Sequence, residues 1–313
     1  MAVLKMSAAA ITPGYQALRA HFAWLDLSAR GKIRVSGEDR ARLLHAMTTN
    51  HVQQLKAGEG CYAFFLNAQG RILGDVNLFC LEDHFLLDTE PETGRKLYEH
   101  LDRYIIADDV TLTDETDSLA TIAVEGPEAP GVLSKLGAPA PLTLYSTESW
   151  GARTIARVDS TGAGGFFIFA ANDDKSRLIA DLENAGATHA TVEEAAIVRL
   201  ENGRPRYGEE ITERYLVQET GQLQAVSFSK GCYLGQEIVE RVRSRAQIHR
   251  VLRRLEIDSC EIPAAGTKFD GGEIVSAVLS PALGKVVAMA YVRTPSSEPG
   301  TELIIGGAPA RVS

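Results

Sequence analysis

The 313-residue sequence has only four cysteines, and they are widely scattered: Cys61, Cys80, Cys232 and Cys260. Disulfide frameworks and zinc sites need paired or clustered Cys and His residues at short spacings. The sequence has no Cys-x-x-Cys pair and no such cluster. We therefore expect a cytoplasmic protein that has no metal site of its own.

Long apolar runs and nucleotide-binding motifs are also missing. No stretch approaches the roughly 20 apolar residues of a membrane span, and residues 1–11 lack a signal-peptide cleavage pattern, so we expect no membrane association. Neither GxGxxG after a strand nor a Walker A motif is present, which leaves nucleotide-binding folds without support. The net charge of −9 argues against a general nucleic-acid binder.

The patterns that are present predict an α+β protein. Strand-like runs alternate with amphipathic helical segments through most of the chain, which indicates largely antiparallel sheets crossed by helices. After residue 254 only short strand candidates remain, separated by Pro and Gly turns, as is typical of a small β-barrel. We place the α+β body, with two sub-domains, at residues 1–245 and the barrel at residues 246–313.

The most distinctive stretch is Lys-Gly-Cys-Tyr-Leu-Gly-Gln-Glu at residues 230–237. Cys232 lies between two glycines just before a predicted helix. The helix dipole and the charge of Lys230 would favour a thiolate there. The alternative is that Cys232 is a small buried apolar residue.

Residues 230–254 reverse the charge of the chain, because they hold seven Lys/Arg and two Asp/Glu residues. We expect Arg241, Arg243 and Arg245 to meet an acidic partner or an anionic part of a ligand. The alternative is an ordinary solvated helix face.

Residues 230–237 resemble the signature of the YgfZ-type folate-binding family, which includes mitochondrial iron–sulfur assembly factors and is related to the glycine-cleavage T-protein. Further family-like blocks lie at residues 44–50, 67–75, 199–208 and 280–285. The resemblance implies a T-protein-like, pseudo-symmetric α+β body with a central channel for tetrahydrofolate or a derivative, followed by a barrel. It also implies an accessory role for iron–sulfur client or assembly proteins, including a tRNA-thiolating enzyme.

Several departures separate this chain from the T-protein. Gly74 replaces one of two acids after the hairpin turn. Phe167 and Ala195 align with a Glu and an Arg that hold folate in the T-protein. These changes favour the accessory role. The tryptophans that are linked with folate binding in some YgfZ members are also replaced, near Arg30 and Ala195. The alternatives are a folate-dependent aminomethyl or one-carbon transferase and a folate-binding module without chemistry.

Two side chains are the candidate reactive groups. Asp75 has apolar strand neighbours, so a raised pKa would suit it to acid–base work; the alternative is a structural cap. A single thiol cannot hold a cluster, so Cys232 would give one ligand transiently or exchange with a persulfide or a mixed disulfide.

Several further polar side chains could contact a ligand, and each has a structural alternative. Arg199 and Glu201 lie two residues apart on a helix, so they do not share a face. Tyr207 could instead pack in the core, Asn50 could simply end a helix, and Gln236 and Glu237 could cap one. The candidate ligand contacts are Asn50, Arg199, Glu201, Tyr207, Lys230, Gly231, Gln236 and Glu237.

Overall fold

The structure is a computed structural model that describes residues 11–245 and 248–313. Its helices are α1 (Pro13–Ala20), α2 (Arg40–Met47), α3 (Gly94–Asp102), α4 (Ala129–Lys135), α5 (Lys175–Asn184), α6 (Val192–Glu201) and α7 (Gln236–Arg245).

Strands make up most of the remaining regular structure. In chain order they are β1 (Ala23–Asp26), β2 (Gly31–Ser36), β3 (Gly60–Leu66), β4 (Ile72–Cys80), β5 (Phe85–Thr89), β6 (Thr111–Asp114), β7 (Leu119–Glu125), β8 (Thr147–Trp150), β9 (Arg153–Ala156), β10 (Gly165–Ala171), β11 (Thr188–His189), β12 (Arg250–Ile257), β13 (Lys268–Phe269), β14 (Gly272–Ser280), β15 (Lys285–Arg293), β16 (Glu302–Ile305) and β17 (Ala308–Val312).

The body contains two sheets. The first has the order β3-β4-β5-β2-β6 and is antiparallel throughout. The second has the order β11-β1-β7-β10-β9-β8, and only the short β1–β11 pair is parallel. The prediction of an α+β protein with largely antiparallel sheets is confirmed.

The two body sheets pack against each other through buried aromatic side chains. Phe79 of β4 meets Phe169 of β10 with ring centroids 5.6 Å apart, and both residues belong to one apolar cluster. Helices cover the outer faces: α2 and α3 bury Leu44 and Leu97 against the first sheet. Because both faces of β4 are covered, nearly all of this strand is buried, including its polar residues.

The C-terminal part is the predicted barrel. Its six strands have the order β13-β14-β15-β12-β17-β16, and the edge strands β13 and β16 meet, so the sheet is nearly closed. Tyr291 of β15 joins the barrel to the body, since it stacks on Tyr215 at 3.7 Å and donates a hydrogen bond to the Glu210 carbonyl. The expected boundary between residues 245 and 246 adjoins residues outside the description and stays a prediction.

Across residues 11–245 and 248–313, none of the helices combines the length and the apolar character that a membrane crossing requires.

Candidate functional site

A cavity of about 620 Å³ lies in the body, where strands of both sheets meet α6. This volume is within the range of about 300–1,000 Å³ that is typical of small-molecule sites. Its apolar walls include Leu25, Val76 and Phe167. The polar groups come from β4, the loop at residues 159–161, α6 and the segment at residues 204–206, so distant parts of the chain converge here.

Asp75 of β4 lies in the wall of this cavity and is only 7% exposed. Tyr62 of the neighbouring strand β3 donates a hydrogen bond of 2.7 Å to its Oδ2 atom. Burial, and then the charge of Glu90, raise the pKa of Asp75 to about 6, against the opposing effect of the Tyr62 hydrogen bond. This carboxyl group can therefore take up and release a proton near neutral pH.

An ion-pair network lies beside Asp75. Arg30 donates from Nε and Nη2 to Asp88 at 2.9 and 2.8 Å, and also pairs with Glu90. Arg206 contacts the same Glu90 at 2.9 Å. Burial favours protonation of Glu90, but these two cations hold its pKa below the ordinary value. Glu90 thus remains a fixed negative charge next to the proton-exchanging Asp75.

Helix α6 forms another wall. A capping box begins it: Oγ1 of Thr191 accepts the Glu194 N–H, and the Glu194 carboxylate accepts the Thr191 N–H. Ala195 and Arg199 line the cavity one turn apart. The Arg199 guanidinium is already occupied, because it pairs with Glu209 at 2.6 Å and Glu210 at 2.7 Å.

Glu201 lies on another face of α6 and does not line this cavity. Its carboxylate accepts hydrogen bonds from Tyr15, Arg19 and Ser280 at 2.7, 2.5 and 2.5 Å. The expectation that Arg199 and Glu201 face different ways is confirmed. The oxygens of Glu201 join α6 to α1 and the barrel, which gives this residue a structural role, and its assignment as a ligand contact stays a prediction.

Two other predicted ligand contacts are structural. The Asn50 amide donates to the carbonyls of Tyr62 and Gln224 at 2.9 and 3.0 Å, and its oxygen accepts the His51 N–H. Tyr207 packs in an apolar cluster and donates to the Ile72 carbonyl at 3.2 Å. Neither side chain lines the cavity, so these contacts favour the structural alternatives, and both assignments as ligand contacts stay predictions.

Lys230 points into the protein and not toward the thiol. Its Nζ donates to the carbonyls of His45, Thr48 and Asn50 at 2.5, 2.6 and 2.7 Å. Two of these carbonyls belong to the last turn of α2 and the residue after it. Lys230 therefore satisfies backbone groups at a helix end, and burial lowers its pKa to about 7. Its three backbone contacts favour a structural role, and its assignment as a ligand contact stays a prediction.

Cys232 is exposed and does not line the cavity. The following helix α7 begins only at Gln236, so the expected position of the thiol at a helix start beside the Lys230 charge is wrong. Gly231 is exposed beside it, and a Cβ atom there would meet nothing within 4 Å. Neither Gly231 nor Gln236 lines the cavity.

The segment around Cys232 is nevertheless firmly held. Tyr233 is buried, and Gly235 has a φ of +84°. A Cβ atom on Gly235 would lie 2.6 Å from the Asn67 carbonyl oxygen, and one on Gly70 would lie 2.7 Å from Ile238. The signature therefore packs closely on the β3–β4 turn, and this packing presents the thiol at the surface.

The basic residues of this region are dispersed and mostly paired within the chain. Arg241 pairs with Glu237, which places Glu237 on the helix surface, outside the cavity. Arg243 pairs with Glu240 at 2.7 Å and lies over the Phe228 ring. The side chain of Arg245 lies outside the description. These pairs favour the solvated-face alternative over a concentrated anion site.

Sequence reasoning did not select several polar residues of the cavity, among them Tyr62, Glu90, Arg204 and Arg206. Arg204 and Arg206 belong to the family-like block at residues 199–208, from which the sequence analysis selected only Arg199, Glu201 and Tyr207. For Tyr62, strand pairing with β4 was the only available signal. Among the described residues, no three His, Cys, Asp or Glu side chains are grouped to hold a metal ion.

Comparisons with known proteins agree with this architecture. The model of the family described as the GCVT N-terminal domain matches residues 5–230. An aminomethyltransferase of Streptomyces avermitilis is 31% identical over 304 residues, which cover 91% of this chain and 82% of that protein. One of Bacillus velezensis is 29% identical over 321 residues, covering 96% and 86%.

A solved structure shows the same fold. The glycine cleavage system aminomethyltransferase T of Bartonella henselae superposes with a TM-score of 0.87 at 23% identity, covering 96% of this chain and 87% of that one. This confirms the expected T-protein-like fold with a C-terminal barrel. With the family match over most of its length, this chain belongs to the family of the GCVT N-terminal domain.

Proposed function

We propose that this protein binds a reduced folate in the 620 Å³ cavity and that Asp75 exchanges a proton with the bound ligand. The observation that carries the proposal is a buried carboxyl with a pKa of about 6 in the wall of a ligand-sized cavity. Structural carboxylates can also have perturbed pKa values, but a perturbed group inside a cavity is a strong functional candidate.

The residues present suit such a ligand. A reduced pterin is a compact bicyclic ring system, planar in its pyrimidine half, with hydrogen-bonding atoms at its edge. The cavity offers apolar contacts from Leu25, Val76 and Phe167 together with polar side chains such as Asn77. Phe167 is held in place by the Arg30 guanidinium, 5.6 Å from its ring centroid.

Asp75 is positioned for proton exchange by its neighbours. Tyr62 fixes the carboxyl orientation through Oδ2, and Glu90 keeps a negative charge nearby. When bound, a reduced folate supplies the nitrogen atoms that carry a one-carbon unit. Asp75 would hold or release a proton at its carboxylate oxygens during that chemistry.

Aminomethyl or one-carbon transfer is the chemistry that the names of the relatives favour, since the curated matches are aminomethyltransferases. Assays should measure tetrahydrofolate-dependent ammonia release from an aminomethylated carrier protein. Asp75→Asn should abolish such activity, whereas Cys232→Ser should leave it intact because this thiol lies outside the cavity.

An accessory role toward iron–sulfur enzymes is the second candidate. The exposed Cys232, held at the surface by the packing of Gly235, favours it. The residues Gly74, Phe167 and Ala195, where the T-protein resemblance expects polar groups, favour it as well. In a strain that lacks its counterpart, Cys232→Ser should then lose support of iron–sulfur enzymes while the purified protein releases no ammonia.

Folate binding itself is tested by calorimetry with tetrahydrofolate. Ala195→Trp should fill the cavity and abolish binding, while the control Ala171→Trp, at an exposed position of β10, should bind normally. Bound ligand must raise the melting temperature of the wild type. Absence of both heat and a thermal shift at millimolar ligand would refute the proposal.

A further inference from the structure

The cavity lining includes four arginines: Arg30, Arg199, Arg204 and Arg206. Arg30 pairs with Asp88 and Glu90, Arg199 with Glu209 and Glu210, and Arg206 with Glu90, Glu92 and Glu209. Their charges are therefore already balanced by protein carboxylates, and each guanidinium is held in a fixed geometry.

Arg204 differs from the other three. Among the described residues, no carboxylate oxygen lies within 4.0 Å of its guanidinium nitrogens, so Arg204 forms no ion pair there. Its guanidinium donates a long hydrogen bond of 3.4 Å from Nη2 to the backbone carbonyl of Asp159, and it also lies close enough to the Tyr145 hydroxyl to interact with it. The Asp159 carboxylate accepts the Gly162 N–H at 2.5 Å, so it acts on Arg204 only at longer range.

A second polar group lies beside Arg204. Tyr145 is buried, and among the described residues its hydroxyl makes no well-formed hydrogen bond, although it lies close to the Arg204 side chain. Burial raises the pKa of Tyr145, and the nearby Arg204 opposes that rise. Tyr145 also has a φ of +65°, a strained conformation for a non-glycine residue. Residues held in such conformations cluster at ligand-binding and active sites.

Tyr145 and Arg204 are linked to Asp75, the proposed proton-exchanging group, through Tyr62. The rings of Tyr145 and Tyr62 stack at 6.5 Å with an interplanar angle of 11°, and Tyr62 donates to Asp75. Arg204 and Asp75 line the same cavity. A ligand held by Arg204 would therefore be in the same space as the Asp75 carboxyl.

We propose that Arg204 is a specificity-determining residue that anchors a carboxylate of the ligand in this cavity. A guanidinium binds a carboxylate through parallel N–H donors, and the pair is strong where water is largely excluded. The other cavity arginines are neutralised, so Arg204 is the cation that an anionic ligand group would meet. This inference rests on the proposed function and names the ligand feature that the site selects.

The test compares two reduced pterins by calorimetry. Tetrahydrofolate carries carboxylates, whereas tetrahydrobiopterin has the reduced ring without them. Arg204→Met should weaken tetrahydrofolate binding about tenfold to a hundredfold, the usual effect of removing a hydrogen bond to a charged group. It should change the tetrahydrobiopterin affinity by no more than about twofold, because no carboxylate is involved.

Two further variants serve as controls for this comparison. Arg204→Lys keeps the positive charge but lacks the parallel N–H donors of a guanidinium, so it should retain part of the tetrahydrofolate affinity. Arg157→Met removes another arginine without an ion pair, one that lies over the Phe166 ring and outside the cavity lining, and it should bind both ligands as the wild type does. Unchanged tetrahydrobiopterin affinity in Arg204→Met also shows that the cavity is intact.

The outcomes separate the two proposals. If Arg204→Met weakens both ligands equally, or neither, the carboxylate anchor is refuted while wild-type folate binding stands. If the wild type binds neither pterin, folate binding and the anchor fail together.

Discussion

Replacing Asp75 with asparagine should change how stability depends on pH. The folded-state pKa of Asp75 is raised from 3.8 to about 6, because burial and the charge of Glu90 disfavour the carboxylate. A carboxyl with a raised pKa binds its proton more tightly in the folded state. Its stabilising contribution is therefore fully present below pH 4 and is lost as the pH rises through about 6.

The magnitude follows from the shift. A displacement of roughly two pKa units corresponds to about 3 kcal/mol of unfolding free energy, at about 1.4 kcal/mol per unit. The amide that Asp75→Asn introduces is neutral at every pH and would still accept the hydrogen bond from Tyr62. Relative to this variant, the wild type should therefore lose about 3 kcal/mol between pH 4 and pH 8.

Urea unfolding of both proteins at several pH values measures this difference. Glu90 has a lowered pKa and contributes with the opposite sign, but it is present in both proteins, so the comparison largely cancels it. Asp173→Asn, which removes an exposed carboxyl, should follow the wild-type curve. A constant difference between wild type and Asp75→Asn across this pH range would refute the assignment of Asp75 as a buried, proton-exchanging group.

Three more predictions concern the neighbours of this site and the signature. Tyr62→Phe should raise the pKa of Asp75 by about one to two units, since a hydrogen bond to the charged form is lost; ¹³C NMR titration of the carboxyl measures it, and an unchanged value contradicts the role of Tyr62. Gly235→Ala should destabilise the fold by about 2 kcal/mol or more, because its φ is +84° and the new Cβ would meet the Asn67 carbonyl; Gly231→Ala, in open space, is the matched control, and equal melting temperatures would contradict the packing. Iodoacetamide should label the exposed Cys232 and Cys260 well before the buried Cys80 and before Cys61, whose pKa burial raises to about 12; rapid labelling of Cys61 in the folded protein would contradict the burial.

The fold class could be predicted from the sequence because it depends on local signals. Short apolar runs marked β3 and β4, and the Asn67–Gly70 turn between them required a glycine with positive φ. The change to short strands between Pro and Gly turns marked the barrel. Asp75 could be selected because its apolar strand neighbours already implied burial.

The direction of each side chain could not be predicted in the same way. Lys230 is next to Gly231 and Cys232 in sequence, yet its ammonium reaches three carbonyls at the end of α2. Nothing local indicates this, because the carbonyls belong to a segment about 180 residues away.

The sequence by itself thus determined which segments form strands and helices, and it selected one carboxyl of the cavity. Only the tertiary structure placed the Tyr62 hydroxyl and the Glu90 charge next to Asp75. It also directed Glu201 to Ser280 of the barrel and left Cys232 outside the cavity. The physical reason is that periodicity and turn chemistry act over a few residues, whereas hydrogen bonds, ion pairs and burial join residues that are distant in the chain.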